Sequence, residues 1–251
     1  MAFLEMTYRS ETMKQDVTVN VLLPKVSDGK EYKTIFLLHG LKNDRSSWMR
    51  KSSIERYAEK HGIAVIMPGV DRSWYTDTAD GRQYFTFVTK ELPRICRNYF
   101  KGMSDKREDT LVAGFSMGGY GALKAALSCP ETFGACASLS GSMDIASKER
   151  IISLDEWRGI FGFDLTSAED LRGTKHDIFA LAKQNHENGI KFPKLYIWCG
   201  TEDSLITSNR NFHNSLTEMG VEHLYEESEG DHSWPYWDLH IQSALNHLLA
   251  E

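Results

Sequence analysis

The sequence predicts an α/β protein: a mostly parallel central sheet with antiparallel N-terminal strands, helices on both faces and a small lid-like insertion. Three observations carry this reading. Continuous apolar runs, TIFLLHG at 34–40, TLVAG at 110–114 and KLYIWCG at 194–200, have the make-up of central strands covered on both sides. Helical patterns separate them, as crossover connections between parallel strands require. Residues 2–9 and 16–23 (DVTVNVLL) instead alternate apolar and polar positions, which suits antiparallel strands with one wet face.

Taken in order, the strand at 16–23 is ended by Pro24 and the SDG at 27–29. After the strand at 34–40 the pattern predicts a helix near 47–60 and the strand IAVIMP at 63–68. The polar, aromatic loop GVDRSWYTDTADG leads to a helix at about 83–100, which Pro93 either delays or bends. TLVAG precedes a helix from Met117. The strand GACASLS (134–140), KLYIWCG, a helix near 204–219, a short strand VEHLYEE and a last helix from about 235 complete the alternation. Residues 141–192 break the rhythm, with short helical pieces, a Phe161-Gly162-Phe163 turn and no clear strand. They read as an insertion over the carboxyl edge of the sheet, where α/β folds place ligands, within a single domain spanning 1–251.

Composition narrows the function classes. The 251 residues are 41% hydrophobic and 25% charged, and 29 scattered basic residues leave a net charge of -6. A nucleic-acid footprint needs a basic stripe, so no nucleic-acid partner is expected. No apolar run approaches a membrane span, so no membrane partner is expected either. The opening MAFLEMTYRS lacks the basic and apolar regions of a signal peptide, which predicts a cytoplasmic protein. Cys96, Cys129, Cys136 and Cys199 stand singly in apolar surroundings without a CxxC pair, and read as buried, reduced thiols.

The chemistry starts at GFSMGG. Gly114-Phe115-Ser116-Met117-Gly118 fits G-x-S-x-G, a serine on a tight strand-to-helix turn whose small neighbours let the helix pass the strand. A serine hydroxyl is a poor nucleophile until a base takes its proton. Of nine histidines, His61, His223, His240 and His247 fall in or at the ends of predicted elements, and His176, His186 and His213 have helical surroundings. His232 instead lies in the loop EGDHSWPYW between the last strand and the last helix, with Gly230 to permit a bend, and is the predicted base. Asp203, in WCGTEDSLI directly after a strand, is the predicted acid that orients it. Glu202 is its nearer rival, Asp231 adjoins the histidine too closely to fold back onto the ring, and capping the next helix is Asp203's structural alternative.

Oxyanion donors are expected from the backbone N–H groups of Met117, after the nucleophile, and Leu41, in LLHGLKND, with Gly40 making room. His39 reads as a buried imidazole bonded to its own loop. Gly40, Trp48, Trp74, Tyr75 and Trp234 are the candidate substrate-binding residues, and Trp157 and Phe161 the candidate lid.

With these residues in place, the chain resembles the esterase D family of α/β hydrolases, which includes S-formylglutathione hydrolases, and most closely its small bacterial tributyrin esterase branch. LLHGLKNDRSSW, PGVDRSWYTDT, KELPRICRNYF, SDKREDTLVAGFSMGGYGALKAAL, LYIWCGTEDSLI and GDHSWPYW carry the likeness nearly end to end. The resemblance implies an α/β-hydrolase fold and a serine carboxylesterase for short-chain, acetyl to butyryl-like esters. Its triad falls on Ser116, Asp203 and His232 and its oxyanion donors on Leu41 and Met117. It implies a small-molecule ester as partner, no metal or organic cofactor, and relatives that commonly self-associate into homo-oligomers. Feruloyl or carbohydrate acetyl esters, glutathione thioesters, acyl transfer on the same fold and a non-catalytic binding module are the alternatives. Against glutathione thioesters, the histidine loop reads GDHSW where those hydrolases carry a tyrosine-rich DHSYYF.

Overall fold

The computed structural model describes residues 1–25, 30–147 and 153–250. Eight strands form one sheet: β1 (Ala2–Arg9), β2 (Asp16–Leu23), β3 (Thr34–Leu38), β4 (Ala64–Pro68), β5 (Thr110–Phe115), β6 (Ala135–Leu139), β7 (Lys194–Gly200) and β8 (Leu224–Ser228). Their order is β1-β2-β4-β3-β5-β6-β7-β8. β1 pairs antiparallel with β2 and β2 antiparallel with β4, while every later pairing is parallel. This is the α/β-hydrolase arrangement; β1 is the wet edge strand, whereas β2, expected to have one wet face, is buried on both faces from Val19 to Leu22 because it lies between β1 and β4.

Pleating explains why β3 to β6 are buried along their whole length and almost entirely apolar. Phe36 and Leu38 point into the core on one face while Ile35 and Leu37 point into the core on the other. On the first face lie α3 (Tyr84–Thr86), α4 (Leu92–Tyr99), α5 (Met117–Ser128), α7 (Ile178–Glu187) and α8 (Ile206–Glu218), which bury Tyr84, Leu92, Tyr120, Ala182 and Phe212. On the second lie α1 (Ser47–Lys51), α2 (Ile54–His61) and α9 (Trp234–Leu249), which bury Trp48, Ala58 and Ile241.

The differences from expectation have local causes. The helix near 47–60 is two helices, because the Ser52 hydroxyl donates to the Trp48 carbonyl and the Ser53 N–H to Asp238. The helix near 83–100 is continuous but contains a π-helical turn, Phe87–Glu91, directly ahead of Pro93, whose missing N–H interrupts the regular α-helical ladder there. The last strand starts three residues later than VEHLYEE suggests, since the Val221 N–H closes the end of α8 on the Leu216 carbonyl. Within 141–192, α7 lies beside α5 as part of the helix layer, and α6 (Leu154–Phe161) alone packs against the loop after β4. The SDG stop at 27–29 and residues 148–152 lie outside the described residues. Among the described residues no helix is long and apolar enough to cross a membrane.

Candidate active site

Ser116 follows β5 and precedes α5 with φ +56° and ψ -120°, a conformation that costs a non-glycine residue about 1–3 kcal/mol. Its neighbours hold it there. The Ser116 N–H donates to the Leu139 carbonyl of β6, and the Ser116 carbonyl accepts from the N–H groups of Gly119, Tyr120 and Ser142. The flanking glycines are a steric necessity: a Cβ at Gly114 would lie 2.4 Å from the Gly118 carbonyl oxygen, and one at Gly118 2.5 Å from that of Leu38. The side chain is left facing the carboxyl edge of the sheet.

Two loops meet it there. Asp203 follows β7 and His232 follows β8, and the loops are tied together by Glu202. Its N–H donates to the Gly230 carbonyl, and its Oε2 accepts the Gly230 N–H at 2.6 Å. His232 Nε2 is 3.0 Å from Ser116 Oγ, and His232 Nδ1 is 2.8 Å from Asp203 Oδ2. An ionised carboxylate only accepts, so Nδ1 carries the proton and Nε2 is free to accept the serine proton. Burial pushes the Asp203 carboxyl up, but bonds from His232, the Leu205 N–H and Ser140 outweigh it and hold the group below its ordinary value. The carboxylate is fully buried and the imidazole 34% exposed. The capping alternative is not realised: Oδ1 accepts the Leu205 N–H at 2.8 Å, but Leu205 is itself the N-cap of α8, and no side chain caps that helix. Glu202 is a loop fastener, and Asp231 takes the Ser233 hydroxyl, so neither meets the imidazole.

The turn expected to hold an oxyanion is built from behind. His39 is buried, its Nδ1–H donates to the Gly40 carbonyl and its Nε2 accepts the Val70 N–H; burial lowers its pKa and keeps it neutral. The Trp48 indole donates to the Leu38 carbonyl at 3.0 Å and the Tyr75 hydroxyl to the His39 carbonyl at 2.9 Å. Among the described residues no protein acceptor takes the N–H of Leu41 or Met117.

A cavity of about 510 Å³ opens over Ser116 and His232, with Gly40, Leu41, Trp74 and Trp234 in its lining. Trp48 and Tyr75 are absent from it. Both are wholly buried, and their polar atoms are spent on the Leu38 and His39 carbonyls, so they support the oxyanion turn and do not wall the cleft. Trp157 is also buried; it packs edge-on against Trp74 at 5.2 Å and backs the wall without covering the cleft. Phe161 packs in turn on Trp157 and His176. A larger groove of about 740 Å³ at the amino ends of β7 and β8 holds His186, His223 and His247 but no hydroxyl or thiol in its lining. Among the described residues no cluster of three or more His, Cys, Asp or Glu side chains is placed to hold a metal ion. All four cysteines are free and buried.

Sequence reasoning missed Ser140 and Trp237. The Trp237 indole donates to Ser140 Oγ at 3.2 Å, and its ring stands edge-on to His232 with centroids 5.0 Å apart. Topology held the clue for Ser140: β6 lies between β5 and β7, so the residue after it falls between nucleophile and acid.

A hydrogen-bonded serine-histidine-aspartate chain at the carboxyl edge of such a sheet defines a serine hydrolase of the α/β-hydrolase fold. The chain belongs to the putative esterase family, whose model matches residues 10–248, within the esterase D and S-formylglutathione hydrolase group. It is 32% identical over 263 residues to an acetyl esterase of Caldicellulosiruptor saccharolyticus, covering 98% of this chain and 97% of that one. The fluorophosphonate-binding serine hydrolase F of Staphylococcus aureus superposes with a TM-score of 0.92 at 34% identity, over 100% of this chain and 99% of that one. An S-formylglutathione hydrolase of the same organism gives 0.89 at 33% identity, over 99% of both chains. The protein is a serine carboxylesterase.

Proposed function

We propose that the protein hydrolyses short acyl esters, acetyl to butyryl, through an acyl-enzyme on Ser116. The observation that carries this is the continuous hydrogen-bond chain from Ser116 Oγ through His232 to Asp203, facing a cleft. Ser116 Oγ bonds to the ester carbonyl carbon while His232 Nε2 takes its proton, and the carbonyl oxygen, now an anion, rests on the Leu41 and Met117 N–H groups. The bond to the leaving oxygen then breaks as His232 returns the proton to it. Water, activated by the same imidazole, releases the acid and restores Ser116.

The reading is tested with p-nitrophenyl esters from acetyl to octanoyl. Turnover should be greatest at the short end and vanish, with fluorophosphonate labelling, in Ser116→Ala. A wild type that is neither labelled nor active overturns it, and a rate peaking at octanoyl overturns the short-chain assignment. A second reading, thioester hydrolysis, is favoured by the likeness to the S. aureus S-formylglutathione hydrolase. Including S-formylglutathione in the panel decides between the two, because that reading requires it to exceed every oxygen ester in kcat/KM.

A further inference from the structure

The electrostatics of the cleft run against those of the chain. The protein as a whole carries a net charge of -6, yet the residues lining the cavity over Ser116 include two lysines, Lys42 and Lys51, and no carboxylate. Neither lysine has a carboxylate partner within 4.0 Å among the described residues. The acidic side chains nearest in sequence to the rim are directed elsewhere. Asp44 accepts the Ser46 N–H at 2.8 Å, Asp238 accepts the Ser53 N–H at 2.7 Å, and Asp231 accepts the Ser233 hydroxyl. The two ammonium groups therefore stand without an ion-pair partner in the lining of the site.

Their place relative to the chemistry identifies which half of the substrate they meet. His232 must deliver a proton to the leaving oxygen, so the leaving alcohol lies on the His232 side of the scissile bond. Trp234 follows two residues later and lines the same cavity, and Lys51 Nζ is 5.5 Å from the centre of its ring. Lys42 follows Leu41, the residue whose N–H is free beside the turn. An aromatic face capped by one ammonium, with a second lysine in the same lining, is a receptor for a flat or extended group bearing a negative charge.

We propose that Lys42 and Lys51 are specificity-determining residues that select esters whose leaving alcohol carries a carboxylate. This rests on the esterase reading above and adds the charge of the alcohol half to it. Carboxylate and ammonium form a solvent-exposed pair in the bound ester, so the gain appears in KM and fades as salt screens it.

The test compares 3-carboxyphenyl acetate with its methyl ester and with phenyl acetate on the intact protein. In the wild type, kcat/KM for the carboxylate should exceed that for its methyl ester by about three- to tenfold at low ionic strength, and the ratio should approach one in 0.5 M salt, where the Debye length is under about 5 Å. The Lys42→Gln/Lys51→Gln double variant should bring the ratio to about one at low salt, and Lys51→Glu should invert it. The ratio is internal to each variant, so a general loss of activity does not mimic the result. A wild-type ratio of one, or a preference that survives in the double variant, overturns the proposal. Inertness of the wild type toward phenyl acetate as well overturns the esterase reading and this proposal with it.

Discussion

His232 and His176 stand at the two ends of one stretch of α5, Met117 to Lys124, and the contrast between them shows what suits an imidazole to act as a base. At the start of α5, His232 bridges Ser116 Oγ and the Asp203 carboxylate with a third of its surface open to the cleft. Two turns along, His176 is buried and its Nδ1 lies 3.2 Å from the Lys124 ammonium nitrogen. Burial and the lysine charge push its pKa down to about 2, so it stays neutral throughout the physiological range. The first ring has a carboxylate to stabilise its charged form, and the second has a cation to oppose it. Residue type is the same; partner sign and solvent access decide the role. The pairing of Lys124 with His176 serves the cleft indirectly. Lys124 Nζ bonds the Tyr75 carbonyl and Thr76 Oγ1, fixing from below the left-handed Trp74-Tyr75 turn whose tryptophan lines the cavity.

Removing groups at the His232 end gives the largest effects. Ser116→Ala should lower kcat by roughly 10⁶-fold and Asp203→Asn by roughly 10⁴-fold, the latter because the amide leaves the ring in the wrong tautomer. Ser116→Ala should not lower the melting temperature. An Asp203→Asn variant retaining a tenth of the wild-type rate would break the claimed difference between the two imidazoles. At the other end, crowding replaces chemistry: a Cβ at Gly121 would lie 2.3 Å from the Tyr75 ring, so Gly121→Ala should cost about 1–3 kcal/mol in denaturant unfolding. Gly159, on α6 with nothing within 4 Å of an added Cβ, is its control and should gain about 0.5–1 kcal/mol on the same change.

These two ends are unequally legible in the sequence. Strand runs, the glycine-flanked serine and the loop position of His232 are local signals, and they single out Ser116, Asp203 and His232, the three side chains that the fold brings into one hydrogen-bonded chain. Trp48 and Tyr75 are misplaced into the cleft because an aromatic near a cavity can face it or back it, and only the direction of the indole N–H and phenol O–H distinguishes the two. Lys124 is hidden for the same reason. A lysine in GALKAALS reads as the polar face of a helix, and nothing in that stretch says that the Tyr75 carbonyl and His176 ring, 49 and 52 residues away, will enclose it. His176, expected in helical surroundings, in fact lies in the turn before α7.

Lys124 yields a pH signature. Burial lowers its pKa from 10.5 to about 7. Between those values the unfolded chain holds a proton that the folded chain has released, so stability rises with pH across the window. The penalty is complete below about 7 and gone above 10.5. Lys124→Met has no such amine, so the stability of the wild type relative to this variant should increase by about 1 kcal/mol per pH unit from roughly 7.5 to 9.5 in urea unfolding. A difference independent of pH would mean that the enclosed amine keeps its ordinary pKa in the fold, so that burial does not drive off its proton.

The smallest effect separates backing from wall. Trp48→Phe keeps an aromatic ring against Phe115 and Trp234 but deletes the bond to the Leu38 carbonyl, one residue before His39. A lone backbone acceptor then loses its partner, at about 1 kcal/mol of stability. Because the affected strand end carries the Gly40-Leu41 turn, the kinetic cost should fall on kcat, roughly two- to fivefold by the same order of energy, with KM unchanged. Trp234→Ala removes cavity lining instead, so its cost should fall on KM. If Trp48→Phe raised KM and spared kcat, Trp48 would have to reach the substrate, and its burial says that it does not.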